Sequence, residues 1–258
     1  MALSRRHPAV LATVIGVALG TMGAAYAAID SGTKPKAVVA SQTQVEEGKA
    51  LYLEGCSSCH GLAAQGSEVG PSLIGVGAAA VDFQVSSGRM PMAAPGIQAA
   101  KRKVQYSENE IAALAAYVAS LGPGPAIPTA EMLNTSGADL ALGGELFRTN
   151  CSQCHSVSGR GGALSEGGIA PSLLQSSPKV IYEAMVSGPA NMPVFSDKTL
   201  PVQDKQAILA YIEELQANKN PGGNGLGRLG PVTEGLFIWI AGLGVLLGVA
   251  VWIGAKAK

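Results

Sequence analysis

The sequence predicts a tandem repeat of two helix-bounded modules held between two membrane-spanning ends. Three observations carry this. Residues 9–29 and 235–254 are uncharged runs of 21 and 20 residues. Between them one pattern occurs twice, its cysteines offset by 95 residues. Each copy opens and closes in a helix-like segment. The 258 residues are 47% hydrophobic, 14% charged and 5% aromatic, with a formal net charge of zero. Low charge and positive mean hydropathy fit neither an ordinary soluble enzyme nor a disordered tail. Zero net charge argues against a nucleic-acid binder, so no nucleic acid is expected as a partner. So few aromatics for two cores suggest that something other than side chains fills the interior.

Taking the elements in order, residues 1–30 form the first. Arg5-Arg6-His7-Pro8 leads into the run 9–29, which as a helix is about 30 Å long, the thickness of a bilayer core. Pro8 suits the first turn of a helix, His7 is read as a flanking residue, and Arg5-Arg6 is a weak twin-arginine match. The segment reads as a signal anchor. The alternative is a signal peptide removed at the small-x-small site Ala25-Tyr26-Ala27.

The first module, residues 42–122, contains Gly48-Lys49-Ala50-Leu51-Tyr52, Cys56-Ser57-Ser58-Cys59-His60, Gly70-Pro71-Ser72-Leu73 and Met90-Pro91, and closes in a helix over 111–121. A hinge, 123–138, follows; Gly122-Pro123-Gly124-Pro125 and Pro128 would break any helix or strand. The second module, 139–219, repeats Gly144-Glu145-Leu146-Phe147, Cys151-Ser152-Gln153-Cys154-His155, Ala170-Pro171-Ser172-Leu173 and Met192-Pro193, with a closing helix over 207–215. The offset grows from 95 at the cysteines to 100 at the prolines and 102 at the Met-Pro pairs. The first insertion is read at Gly159-Arg160-Gly161-Gly162-Ala163.

Residues 220–234 are expected to be a linker, opened by Asn220-Pro221-Gly222-Gly223-Asn224-Gly225. Residues 235–255 are expected to span the membrane, with Trp239 and Trp252 near the two ends as interface residues. Arg5, Arg6, Lys256 and Lys258 are the only charges beyond the apolar runs. The positive-inside rule places both tips in the cytoplasm and residues 30–234 outside.

Cys-x-x-Cys-His is the attachment pattern for c-type haem. Cysteines three apart on a helical turn can bond to both vinyl groups of the porphyrin, and the adjacent histidine offers a nitrogen to iron. A thioredoxin-like pair has no need of the histidine. A four-cysteine zinc ribbon needs its pairs about 15–20 residues apart, whereas 91 residues separate Cys59 from Cys151. The second axial ligand must follow each motif. In the second module Met192 is expected, because Met185 lies in a helix-like run over 180–186 and reads as packing. In the first, Met90 is favoured by the shared Met-Pro pair, but Met92 lies as far from Pro71 as Met192 does from Pro171. Met132, in the hinge, reads as packing or surface. Methionine opposite histidine raises the haem potential and fills both axial positions. Pro71 and Pro171 are either plain turn residues or carriers of a backbone carbonyl that accepts the histidine N–H.

Lys101-Arg102-Lys103 reads as a solvated face or as a docking patch. The second module, residues 139–217, carries a net charge of −3, the first, residues 48–121, of zero.

Over residues 48–121 and 143–215 each copy resembles a class I cytochrome c domain. The resemblance implies an all-α fold, three to five helices around haem, with Gly48 and Tyr52 meeting Tyr117 and Phe147 meeting Tyr211. The whole layout resembles the dihaem cytochrome c subunit of the actinobacterial menaquinol–cytochrome c reductase, the cytochrome bcc complex. The stretches carrying it are Gln84-Val85-Ser86-Ser87-Gly88-Arg89-Met90-Pro91, Gly188-Pro189-Ala190-Asn191-Met192-Pro193, Pro221-Gly222-Gly223 and Trp252-Ile253-Gly254-Ala255. It implies two covalently bound haem c groups, attached at Cys56, Cys59, Cys151 and Cys154, with iron ligated by His60, Met90, His155 and Met192. It further implies electrons arriving from a Rieske iron–sulfur protein beside cytochrome b and leaving to a cytochrome c oxidase in a supercomplex. On this reading the chain is a subunit of a quinol–cytochrome c reductase and by itself an electron carrier without catalytic residues. The competing readings are a dihaem subunit of a terminal oxidase or membrane dehydrogenase, and a dihaem peroxidase, which needs an open iron position.

Overall fold

The computed structural model of the chain describes residues 8–30, 40–217 and 225–256. Arg5, Arg6, His7, Lys258 and positions 220–224 of the expected linker lie outside the described residues. The chain forms two compact units, residues 1–39 and 40–258.

The first unit holds α1 (Pro8–Asp30), which runs unbroken through Ala25-Tyr26-Ala27. Thr13 and Thr21 donate their hydroxyls to the Ala9 and Val17 carbonyls one turn back, at 2.8 and 2.9 Å. This hides their polarity inside the helix. Residues 8–25 have a mean hydropathy of 1.7.

In the second unit, the first module consists of α2 (Gln42–Gly55), α3 (Ser57–His60), α4 (Gly77–Ser86) and α5 (Glu108–Ser120). Capping explains where they start. The Ser41 hydroxyl accepts from Gln44 N at the head of α2. Ser107 and Glu110 form a reciprocal capping box at the head of α5. The second module repeats the plan with α6 (Leu140–Asn150), α7 (Ser152–His155), α8 (Pro178–Ser187) and α9 (Val202–Ala217). Asp139 caps α6, and Ser177 caps α8 with Pro178 in the first turn. The only strands among the described residues are β1 (Gly162–Ala163) and β2 (Ile169–Ala170), an antiparallel pair.

In each module the first helix crosses the last at a glycine. A Cβ on Gly48 would overlap the Ala113 carbonyl, and one on Gly143 the Ala207 carbonyl. The equivalent of Gly48 is therefore Gly143, one residue before the Gly144 at which the second copy was read to open. Close approach brings Tyr52 to Tyr117 at 5.2 Å between ring centroids, and Phe147 to Tyr211 at 5.3 Å. Both pairs are tilted by 46°. Around them lie two separate cores. Ile111, Leu114 and Val118 pack with Val81 and Val85, and Ile208, Leu209 and Ile212 pack with Ile181 and Met185. Each such side chain contributes about 1.5–3 kcal/mol on burial. Met185, 2% exposed, is packing.

The hinge 123–138 is docked along its length. The Pro125 carbonyl accepts from Ala79 N at 3.1 Å. Gly77, at φ +80°, and Gly124 permit this backbone contact. Further on, Met132 and Leu133 pack against the second core, and Thr135 donates to Glu213 at 2.7 Å.

α10 (Pro231–Lys256) begins inside the stretch read as linker, since a proline is tolerated in a first helical turn. Residues 232–256 have a mean hydropathy of 2.5, and Leu236, Phe237, Ile240, Trp239 and Trp252 are all exposed. With α1, it gives the chain an apolar helix of spanning length near each terminus.

Candidate functional site

α2 ends on the first cysteine, whose N–H is donated to the Tyr52 carbonyl at 2.9 Å. The next turn is α3: Cys59 N and His60 N donate to the Cys56 carbonyl at 3.2 and 3.0 Å. The second module copies this, with Cys154 N and His155 N donating to the Cys151 carbonyl at 3.2 and 2.9 Å. A single turn thus holds two thiols and an imidazole together. All four cysteines are free. Burial, reinforced by the neighbouring Cys59 and Cys154, pushes the Cys56 and Cys151 thiols up to about 11. Such groups are neutral at pH 7.

Both histidines are buried. His60 Nδ1 lies 2.8 Å from the Pro71 carbonyl oxygen, and His155 Nδ1 lies 2.9 Å from that of Pro171. A carbonyl only accepts, so Nδ1 carries a proton in each ring, and in the neutral imidazole that leaves the lone pair on Nε2. Burial holds His155 below its usual range against the opposing effect of the Pro171 bond, so the ring is neutral. The prolines are therefore more than turns: each sets the tautomer of a histidine.

Sequence reasoning missed the two glycines that make this return possible. Gly66 N donates to the His60 carbonyl and Gly161 N to the His155 carbonyl, each at 2.8 Å. Both have positive φ, +89° and +83°. A Cβ on Gly66 would meet Ser72 N at 2.6 Å, and one on Gly161 would overlap the Ala170 carbonyl. Gly161 is thus the counterpart of Gly66. The second copy's insertion lies after it, within the β1–β2 hairpin, and shares only Gly162 and Ala163 with the 159–163 stretch read from the sequence. The available signal was the unchanged spacing of 95 residues from Gly66 to Gly161.

Met192 packs with Cys151 against the second core, and Met90 packs with Cys56 against the first. Met92 belongs to neither core among the described residues. A cavity of about 350 Å³ is lined by Cys151, Cys154, His155, Pro171 and Met192, with Leu173, Ile181 and Ile208 as apolar wall. First-module residues Arg89, Met90 and Met92 border the same cavity. The modules meet here. Gln98 donates to the Ile169 carbonyl at 2.8 Å and accepts from Ile169 N at 3.0 Å, which clamps β2 two residues before Pro171. Lys101, Arg102 and Lys103 are all exposed.

Among the described residues no three His, Cys, Asp or Glu side chains gather as they would around a bare metal ion. One tautomer-fixed imidazole, one thioether, two free thiols and an apolar cavity instead suit an iron that arrives inside a macrocycle. The residues present fit haem c.

Residues 45–122 match the family described as Cytochrome c, and residues 138–212 the one described as Cytochrome C oxidase, cbb3-type, subunit III. Similar over most of the length is a cytochrome bc1 complex cytochrome c subunit of Corynebacterium efficiens. It is 44% identical over 266 residues, covering 95% of this chain and 90% of that one. The protein of the same description from Corynebacterium diphtheriae is 43% identical, covering 95% and 94%. That of Mycobacterium tuberculosis is 42% identical over 245 residues, covering 92% and 88%.

Proposed function

The chain belongs to the cytochrome bc1 complex cytochrome c subunits, and on that premise we propose that it relays electrons through two covalently held haem c groups, one in each module. Its coarse role is cytochrome c electron transfer within a membrane-anchored bc complex. The finer reading rests above all on one duplicated observation: the histidine of each Cys-x-x-Cys-His motif gives its Nδ1 proton to a proline carbonyl, at 2.8 and 2.9 Å.

Cys56 and Cys59, and Cys151 and Cys154, are the thioether-forming pairs. His60 and His155 present Nε2 to iron. Met192 is the second ligand in the second module, and Met90 in the first, supported by its place on the first core beside Cys56. When bound, haem with these ligands supplies a one-electron couple with no vacant coordination position. The protein's own work is to fix ring orientation, exclude water from the cavity and hold the thioether in reach. Little in such a site has to move as charge arrives and leaves.

The donor in this reading is a Rieske iron–sulfur protein beside cytochrome b, fed by menaquinol, and the acceptor is a cytochrome c oxidase in a supercomplex. α10, and α1 if it is retained, anchor the modules on the extracytoplasmic side with the termini in the cytoplasm; Lys256 in the last turn of α10 agrees with that direction. Anchoring turns docking into a local event at high effective concentration.

The match of the second module to an oxidase-subunit family favours a second reading, a dihaem subunit of a terminal oxidase. It covers one module, whereas the relatives above cover 92–95% of the chain. Purification of the tagged full-length chain from its membranes separates the two. The first reading expects two haems per chain by pyridine haemochrome and co-purification of cytochrome b and a Rieske protein. One haem per chain overturns the dihaem relay, and oxidase subunits without cytochrome b or Rieske protein overturn the placement.

A further inference from the structure

Arg89 lies in the turn after α4, just before Met90. Arg89 N and Met90 N both donate to the Gln84 carbonyl at 2.9 Å. Gly88, at φ +70°, brings the turn against Arg102, whose N–H is donated to the Gly88 carbonyl at 3.0 Å. The Arg89 guanidinium is thereby held half-buried, 4.7 Å from the centre of the Phe83 ring. Phe83 is itself 3% exposed. No carboxylate or carbonyl among the described residues pairs with that guanidinium. Beside it, Gln84 Oε1 is buried without a hydrogen-bond partner. A guanidinium withdrawn from water without an anion is unfavourable.

Both side chains open onto the cavity that contains Cys151, Cys154, His155 and Met192. Pro71, Met90 and Met92 of the first module border that cavity, but of the attachment residues only Cys151, Cys154 and His155 line it, and none of Cys56, Cys59 and His60 does. Haem c carries two carboxylate side chains, and they need cationic or N–H donors when enclosed.

We propose that Arg89 of the first module is a positioning residue for the second module's haem, its guanidinium pairing with one of that haem's carboxylates. The inference rests on haem binding at Cys151, Cys154 and His155 as proposed above. Two consequences follow. The ion pair ties the modules together through the cofactor. It also raises the second haem's potential, because the cation offsets a carboxylate that would otherwise stabilise the oxidised iron.

The test is a redox titration of the full-length chain, with the two haems resolved by low-temperature absorption. Arg89→Gln is expected to shift the reduction equilibrium of the Cys151/Cys154 haem about tenfold toward the oxidised form, or ~59 mV for one electron. The Cys56/Cys59 haem stays put. Arg89→Lys keeps the charge and recovers most of the shift. An unmoved potential, or a shift confined to the Cys56/Cys59 haem, overturns the proposal. If Arg89→Gln does not accumulate, resonance Raman of Arg89→Lys decides. Loss of the planar two-point contact is expected to move a haem carboxylate bending band, and an unmoved band overturns the pairing. Haem counting keeps the two readings apart. Two haems with unchanged potentials remove Arg89 alone, whereas a wild-type chain with fewer than two removes the relay itself.

Discussion

Asp82 Oδ2 and Lys179 Nζ lie 2.6 Å apart, one on α4 of the first module and the other on α8 of the second. Glu183, one turn along α8 from Lys179, is fully buried, its Oε1 3.8 Å from the same ammonium. With both carboxyls ionised, neither oxygen of Glu183 has a donor. A proton on Glu183 lets it donate to Asp82. Burial, then the Asp82 carboxylate, push Glu183 up to about 9, against the pull of Lys179. The junction thus holds one carboxylate, one ammonium and one neutral carboxyl.

Stability should depend on this proton. Glu183 rises from 4.5 in the unfolded chain to about 9 in the folded one. Below pH 4.5 both states hold the proton and folding gains or loses nothing from it. Between the two values only the folded state keeps it, so stability falls as pH rises through that window. Glu183→Gln, which keeps a donor for Asp82, is expected to stabilise the chain by roughly 1–3 kcal/mol at pH 7 and by nothing at pH 4. Thermal melts of both chains across that range check this. A gain independent of pH would show that Glu183 is ionised at the junction.

The axial assignments predict different spectra for three methionine variants. Met192→Ala should lose the sulfur-to-iron absorption band of the second haem and lower its potential. Met90→Ala should do the same to the first haem, and Met92→Ala to neither. Loss of the band in Met92→Ala with retention in Met90→Ala would exchange the two residues. The reduced wild-type protein is expected to bind no carbon monoxide at neutral pH; binding would favour the peroxidase reading.

The helix crossings should be intolerant of a single methyl group. A Cβ on Gly48 or Gly143 meets a backbone carbonyl, which cannot rotate away. Gly48→Ala and Gly143→Ala are each expected to cost about 1–3 kcal/mol, seen as a lowered Tm of the haem-loaded chain. Gly144→Ala should cost less, since its nearest neighbours are the Tyr211 ring and the Arg148 side chain at 3.1–3.2 Å.

Gly161→Ala tests the histidine orientation. It forces positive φ on alanine and drives a Cβ against the Ala170–Pro171 backbone. Strain of about 1–3 kcal/mol displaces the carbonyl that accepts from His155. The expected result is a lowered Tm with a shifted or split potential for the second haem only. A shift in the first haem, or none in either, would separate the Pro171 carbonyl from the control of His155.

Much of the site was legible in the sequence because haem attachment is local chemistry. Two cysteines and a histidine within five residues form one turn, and that turn reads the same in any fold. Pro71 and Pro171 were legible through repetition, as were the ring pairs Tyr52–Tyr117 and Phe147–Tyr211. The docking of the hinge was not legible because Pro and Gly signal a break in regular structure and say nothing of what the broken segment lies against. The insertion was read three residues too early because a glycine-rich stretch looks dispensable, while Gly161 is required for its left-handed backbone.

The sequence by itself determined two attachment turns, their candidate ligands, the helix starts and the apolar ends, all properties of residues close together along the chain. Only the tertiary structure decided which methionine rests on the first core. It alone brought Gln98 to Ile169, Asp82 to Lys179 and Arg89 to a cavity shared with the other module. The reason is physical: a charged or polar side chain has the same local signature whether it faces water or a neighbour, and its partner is chosen by packing between segments distant in sequence.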